Sequence, residues 1–151
     1  MAEVVPGARV LDLFAGSGML GLEALSRGAR VVWWVEKSDR TVKSLRQSVR
    51  FMSRGIRAET RVVRADVGGF LSTVGESGKS AGFDLVLADP PYDKKWPGKL
   101  LPGLADGDIL TPGGLLVLEQ ASREEVLEPE AWELLRDKAY GDTRLLHYRL
   151  R

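Results

Sequence analysis

The chain has 151 residues, 44% of them hydrophobic, which is enough for one domain with a single core. No apolar run is long enough to span a membrane, and the first residues carry no secretory signal, so we expect a cytoplasmic protein and a monomer. The formal net charge is +1, with no Cys and one His, which excludes disulfides, iron–sulfur clusters and thiolate zinc sites and argues against a metal centre.

The N-terminal third alternates strand and helix patterns. Arg9 to Leu13 predicts a first strand, and a glycine-rich segment follows it. A helix is predicted from about Met19 to Gly28, where glycine favours a left-handed helix end. Arg30 to Glu36 is an apolar run that predicts a second buried strand.

The next predicted helix begins at a cap formed by Ser38 or Asp39 and ends near Arg54. Its apolar residues recur at helical spacing and predict a buried face: Val42, Leu45, Val49 and Met52. A second face is basic and is either solvated or a contact for phosphates: Arg40, Lys43, Arg46, Arg50 and Arg54.

The middle of the chain predicts two more strands. Thr60 to Arg64 is the third strand, and Phe83 to Ala88 is the fourth, a run too continuously aliphatic for a half-exposed strand. Between them we expect a short helix over Phe70 to Val74 and a flexible loop from Gly75 to Gly82.

The C-terminal third predicts a helix from Lys99 to Ala105, a turn-rich connection from Asp106 to Gly114, and a fifth strand from Leu115 to Glu119. Ser122 and Glu125 match a capping box, which predicts a helix carrying Trp132, Leu134 and Leu135. Two final strands, Lys138–Tyr140 and Leu145–Leu150, would pair as a hairpin around Gly141 and Asp142. This order predicts a doubly wound α/β fold, in which a mostly parallel seven-stranded sheet ends in an antiparallel hairpin.

The fourth strand is followed at once by Asp89, Pro90, Pro91 and Tyr92. The prolines cannot continue the ladder, and open α/β sheets bind ligands at the carboxyl ends of their strands. A carboxylate, a free carbonyl and an aromatic ring could hold a planar exocyclic amine, such as that of guanine or adenine. Lys94, Lys95 and Trp96 could grip the same nucleotide, although an ordinary surface turn remains the alternative for the whole segment.

The segment after the first strand, Gly16-Ser17-Gly18-Met19-Leu20-Gly21, matches the G-x-G-x-x-G pattern between a strand and a helix. Glu36 ends the second strand, where a carboxylate can bind ribose hydroxyls. A dinucleotide or another adenosine compound would fit these residues equally well, and a packing turn remains possible.

Two motifs are similar to those of S-adenosylmethionine-dependent methyltransferases. Asp12 to Gly18 resembles the first motif of these enzymes, and Asp89 to Tyr92 resembles the fourth motif of those that methylate amines. With Gly21 to Ala29 and Val35 to Lys37, the chain closely resembles the RsmD-type family. This resemblance implies a Rossmann-like fold and methylation of N2 of a guanine in small-subunit (16S) ribosomal RNA, either free or in an assembling subunit.

The resemblance also implies roles for single residues. Asp12, Gly16 and Gly18 would line the methionine part of S-adenosylmethionine, Glu36 would hold the ribose, Lys37 would lie beside the adenine, and Asp66 would accept from its amino group. Phe14, Ala15 and Val67 complete the implied cofactor site. The target base would contact Asp89, Pro90, Pro91 and Tyr92.

Family members usually carry an N-terminal hairpin and helix with an Arg-Pro-Thr signature. Here eight residues precede Arg9, so we expect one methyltransferase domain over residues 1–151 without that extension. Three other functions stay open: an adenine-N6 methyltransferase acting on DNA or RNA, a nicotinamide (NAD)-dependent oxidoreductase, and a non-catalytic scaffold with this fold.

Overall fold

Strands and helices alternate along the residues that the computed structural model describes, which are 3–76 and 82–151. The elements are β1 (Arg9–Leu13), α1 (Met19–Ser26), β2 (Val31–Glu36), α2 (Asp39–Met52), β3 (Glu59–Arg64), α3 (Val67–Glu76), β4 (Phe83–Ala88), α4 (Pro97–Asp106), β5 (Leu110–Ala121), β6 (Trp132–Tyr140) and β7 (Thr143–Leu150). No helix in these two ranges has the length and apolar character needed to cross a bilayer.

The seven strands form one sheet in the order β3-β2-β1-β4-β5-β7-β6. The first five strands pair in parallel, β7 is antiparallel to β5, and β6 is antiparallel to β7. The strand order reverses between β1 and β4, and this is where doubly wound sheets bind their ligands. The predicted fold, including the antiparallel hairpin, is confirmed.

Helices cover the sheet on both faces because the central strands are apolar on both sides. On one face, α1 and α2 pack against a buried cluster that includes Val10, Val32, Trp34, Leu85 and Leu87. On the other face, α3 and α4 pack against a second cluster that includes Leu11, Leu13, Val86 and Leu116. The sheet is thus a rigid support whose strand ends hold the loops of the site.

Helix α2 begins as the sequence predicts, since the Ser38 hydroxyl accepts a hydrogen bond from the Thr41 N–H at 3.3 Å. Val42, Leu45 and Val49 are buried, but Met52 is 47% exposed, so its predicted burial is wrong. Met52 is the last residue of the helix. All five basic residues of the predicted second face are exposed.

The helix predicted to carry Trp132, Leu134 and Leu135 is wrong, and so is its capping box. These residues lie in β6, which extends to Tyr140. Trp132 is buried, its indole N–H donates to the Leu101 carbonyl at 2.9 Å, and its ring packs edge-on against Tyr148. These long-range contacts stabilise an extended chain against a short local pattern.

Several boundaries also differ from the sequence prediction. Helix α3 starts at Val67 because the Asp66 carboxylate accepts from the Gly69 N–H at 3.2 Å and caps the helix. Strand β5 starts at Leu110, within the predicted turn-rich connection, and its pairing with β4 then shifts register between Phe83 and Leu85. Of the predicted loop at 75–82, the first two residues are helical and 77–81 lie outside the described residues.

Candidate active site

Asp12 lies at the carboxyl half of β1, and its side chain is 1% exposed. One carboxylate oxygen accepts a hydrogen bond from the Gly21 N–H in α1 at 2.9 Å. Burial raises the pKa of Asp12 to about 7, the Gly21 hydrogen bond opposes this rise, and the charge of Asp89 adds to it. Asp12 therefore has two partners: it accepts a hydrogen bond from the start of α1, and its charged form is repelled by Asp89 at the end of β4.

The loop after β1 turns through left-handed backbone at three residues: φ is +57° at Phe14, +55° at Gly16 and +81° at Gly18. The Ala15 N–H donates to the Val35 carbonyl at 3.0 Å, which ties the loop to β2. Left-handed backbone is unfavourable for a bulky side chain such as Phe14, so the surrounding contacts must hold it. The conformation of the loop is thus fixed by its contacts with the rest of the protein.

Glu36 lies 20 residues after Gly16 and holds the loop from β2. One of its carboxylate oxygens accepts from the Gly16 N–H at 3.0 Å, and the other accepts from the Ser38 N–H at 2.8 Å. A carboxylate has about four acceptor positions, so both oxygens can still accept from a ligand. The carboxylate is fixed in direction and available for hydroxyl donors.

Trp34 supports the loop from below. Its ring is fully buried and its indole N–H donates to the Gly18 carbonyl at 3.1 Å. A Cβ at Gly21 would overlap the indole nitrogen and lie 2.7 Å from Cε2, while a Cβ at Gly18 would overlap Leu45. Glycine at both positions allows α1 to lie directly on the tryptophan ring.

A cavity of about 260 Å³ opens beside this loop. Its apolar wall includes Phe14 and Trp96, whose rings meet edge-on with centroids 4.7 Å apart. The cavity brings together seven of the residues predicted from sequence, and it is lined by Phe14, Val35, Glu36, Lys37, Ala65, Asp66, Val67, Asp89, Pro91 and Trp96. Trp96 was singled out only as a gripping residue for the nucleotide, and its contact with Phe14 could not be foreseen.

The segment after β4 is divided between the cavity and the sheet. Asp89 and Pro91 are exposed and line the cavity, whereas Pro90 is buried. Tyr92 does not line the cavity: its hydroxyl is 3.0 Å from the Thr143 hydroxyl at the start of β7. The structure therefore separates Tyr92 from the cavity that holds Asp89.

Glu119 was missed in the sequence analysis. Ala88 of β4 pairs with Leu118 of β5, so the next residues of these parallel strands, Asp89 and Glu119, lie side by side. The two carboxyl groups share a hydrogen bond, and this bond, burial and the charge of Asp89 raise the pKa of Glu119 to about 7. The position of Glu119 near the end of the predicted strand next to β4 was the sequence signal that could have identified it.

The chain is similar to known methyltransferases over most of its length. Residues 1–149 match the family model described as Conserved hypothetical protein 95. Ribosomal RNA small subunit methyltransferase D of Haemophilus influenzae is 30% identical over 93% of this chain and 69% of its own length.

The chain belongs to this family. Its members, the RsmD-type proteins, are S-adenosylmethionine-dependent methyltransferases. The solved structure of the putative methyltransferase YhhF from Escherichia coli superposes with a TM-score of 0.84 at 29% identity, covering 99% of this chain and 79% of that one. An RNA methyltransferase from Salinibacter ruber, solved with S-adenosyl-L-homocysteine, is 17% identical with a TM-score of 0.70, covers 99% of this chain and 84% of that one, and shows the same fold.

The cavity is chemically suited to the cofactor of RsmD-type enzymes. Its apolar walls can hold a planar ring, and the two fixed oxygens of Glu36 can accept from a diol. A Cβ built on Gly16 meets no atom within 4 Å, so the loop backbone is open to a ligand there. Asp66 uses one carboxylate oxygen to cap α3, which leaves the other for an amino group.

Proposed function

We propose that this protein transfers a methyl group from S-adenosylmethionine to the exocyclic N2 amine of a guanine in small-subunit ribosomal RNA. The observation that carries the proposal is the position of Asp89, which lines the same cavity as Glu36 and directly follows a central strand. The names of the relatives support ribosomal RNA as the substrate class.

The cofactor site is proposed to use the loop residues and the ends of β2 and β3. S-adenosylmethionine, when bound, supplies a methyl group on a positively charged sulfur, and the C–S bonding pair goes to sulfur as the N–C bond forms. Glu36 would accept from the ribose hydroxyls, Asp66 from the adenine amino group, and Lys37 would lie beside that ring. The remaining proposed contacts are Asp12, Phe14, Ala15, Gly16, Gly18 and Val67.

Asp89 and the carbonyl of Pro90 would each accept a hydrogen bond from one of the two N–H groups of the guanine amine. The nitrogen lone pair is delocalised into the base, so a geometry that lets nitrogen pyramidalise makes it a better nucleophile. Positioning and electrostatics supply most of the rate increase. The proton leaves after the methyl has arrived, so Asp89 does not need to be a strong base. Pro91 lines the cavity. Tyr92, whose hydroxyl is held by Thr143, would stack on the unstacked base from outside the cavity.

The function is tested by incubating the protein with methyl-labelled S-adenosylmethionine and unmodified small-subunit ribosomal RNA. The RNA is supplied both naked and assembled with ribosomal proteins, and DNA is included as a competing substrate. Label in N2-methylguanosine is the expected result. Label in N6-methyladenine would show that adenine is the substrate and that the protein still methylates an exocyclic amine. Absence of transfer to every nucleic acid would contradict the proposal.

Changing Glu36 to Gln is expected to weaken binding of S-adenosylhomocysteine about tenfold. The amide nitrogen cannot accept a hydrogen bond, so either Gly16 or Ser38 loses a partner, at a cost of about 1–3 kcal/mol. Isothermal titration calorimetry measures the change in Kd. Glu59→Gln, an exposed carboxylate on β3, is the matched control. An unchanged Kd for the Glu36 variant would remove this residue from the cofactor site.

A further inference from the structure

Glu119 and Asp89 are held next to each other by the sheet itself. Strands β4 and β5 are in register from Leu85 with Leu115 to Ala88 with Leu118, and both strands run in the same direction. Alternation puts Asp89 and Glu119 on the face of the sheet that Leu87 and Val117 occupy. The pair is therefore fixed by four consecutive rungs of the ladder and does not depend on a flexible loop.

The register places the two carboxyl groups side by side, and two ionised carboxylates this close repel each other. Sharing one proton through a hydrogen bond removes this repulsion, because a carboxylic acid can donate where a carboxylate only accepts. Asp89 is exposed and its charge is hydrated, whereas Glu119 is partly buried. Glu119 is thus the better site for the proton, and its carboxylic acid donates to Asp89. This hydrogen bond, followed by burial and the charge of Asp89, raises the pKa of Glu119 to about 7.

Among residues 3–76 and 82–151, no cation contributes to the pKa of Glu119. In the salt bridges among the described residues, neither Glu119 nor Asp89 takes part. From β1 the facing group is the buried Asp12, which interacts with the charge of Asp89. The facing titratable group from β7 is His147, which pairs with Val117, two residues from Glu119 on the same face. Its pKa is lowered by burial and then by the charge of Arg136.

The neighbouring helices do not change this balance. The charged residue of α1 is Glu23, which pairs with Arg27. On the opposite face of the sheet, α4 places Lys99 over the ring of Trp96. Asp106, at the end of α4, is exposed to solvent.

We propose that Glu119 is a positioning residue, which acts as a neutral acid and directs the Asp89 carboxylate by donating a hydrogen bond to one of its oxygens. The other oxygen of Asp89 is then aimed at the substrate amine. This inference rests on the proposed function, because it gives Asp89 the amine as its ligand. The proton of Glu119 is retained through the cycle, and the proton released from the amine goes to Asp89 and then to water.

Three variants test the proposal through the pH dependence of kcat. In the wild type, kcat falls as the pH rises through about 7, because ionised Glu119 no longer donates and repels Asp89. Glu119→Gln keeps a neutral donor, so kcat at pH 6.5 stays close to that of the wild type and this fall disappears. Glu119→Ala has no donor, and kcat at pH 6.5 drops by about a hundredfold. KM for S-adenosylmethionine stays the same in both variants, and Glu125→Gln, an exposed carboxylate after β5, is the control.

Two results would overturn the proposal. Equal losses in the Gln and Ala variants with the wild-type pH profile would show that Glu119 only supports the structure. Wild-type kcat in Glu119→Ala would show that Asp89 needs no such partner.

A second measurement does not depend on any activity. In protein labelled with ¹³C at the glutamate side-chain carboxyl, one resonance should titrate near pH 7 and be missing from Glu119→Gln. If every glutamate titrates in the ordinary range near 4, the shared proton is absent and the inference fails, whatever the substrate is. Failure of methyl transfer with this resonance present would instead count against the proposed function alone.

Discussion

Replacing Asp89 by Ala is expected to lower kcat for methyl transfer by about a hundredfold to a thousandfold and to leave the affinity for S-adenosylhomocysteine nearly unchanged. The loss is this large because Asp89 is proposed to hold the amine in the geometry of attack, and removing one such preorganised contact costs roughly two to three orders of magnitude. Cofactor affinity is retained because Glu36, at the end of β2, and Asp66, at the start of α3, are untouched.

Single-turnover kinetics and calorimetry measure the two quantities separately. Asp106→Ala, which removes an exposed carboxylate at the end of α4, is the control for a general effect of lost charge. A collapse of cofactor affinity in Asp89→Ala would show that Asp89 binds the cofactor, and the role proposed for it would be wrong.

Changing Gly21 to Ala is expected to destabilise the protein by about 2–3 kcal/mol, although alanine favours helices. The added Cβ would overlap the indole of Trp34, which is fully buried and cannot move aside. Shifting α1 to relieve the overlap would lengthen the hydrogen bond from the Gly21 N–H to Asp12. Tm should fall by about 5–10 °C in a domain of this size.

Gly69→Ala is the matched control, because Gly69 is also helical and a Cβ there meets no atom within 4 Å. It should raise stability by up to about 1 kcal/mol through helix propensity. Thermal unfolding of both variants by circular dichroism gives the comparison. Similar behaviour of the two would mean that Trp34 does not restrict α1.

The sequence predicted the parallel core of the sheet because its strands are short apolar runs, each followed by a recognisable turn. Glu36 and Asp89 could be named in advance for the same reason, since each stands at the end of such a run, whereas Asp12 was implied by the resemblance to a methyltransferase motif. Trp132 could not be placed, because burial against Leu101 and Tyr148 decides its conformation and neither residue is near it in sequence.

The Asp89–Glu119 pair could also not be predicted from the sequence, for a different reason. Asp89 was named from its motif and Glu119 was not named at all, because their contact depends on the exact register of β4 and β5, which are separated by α4. A shift of one residue would send the two side chains to opposite faces of the sheet. Similarly, Tyr92 was grouped with Asp89 by motif, whereas the structure joins its hydroxyl to β7.

The position of β7 between β5 and β6 has a consequence for biosynthesis. Strand β6 is an edge strand that pairs only with β7. It leaves the ribosome before β7, so it has no partner until β7 has emerged and inserted between β5 and β6. During that interval β5 also exposes one edge, which a neighbouring nascent chain could occupy. The charged residues of β6, Glu133, Arg136, Asp137 and Lys138, would discourage the unpaired strand from pairing with another chain on the same polysome.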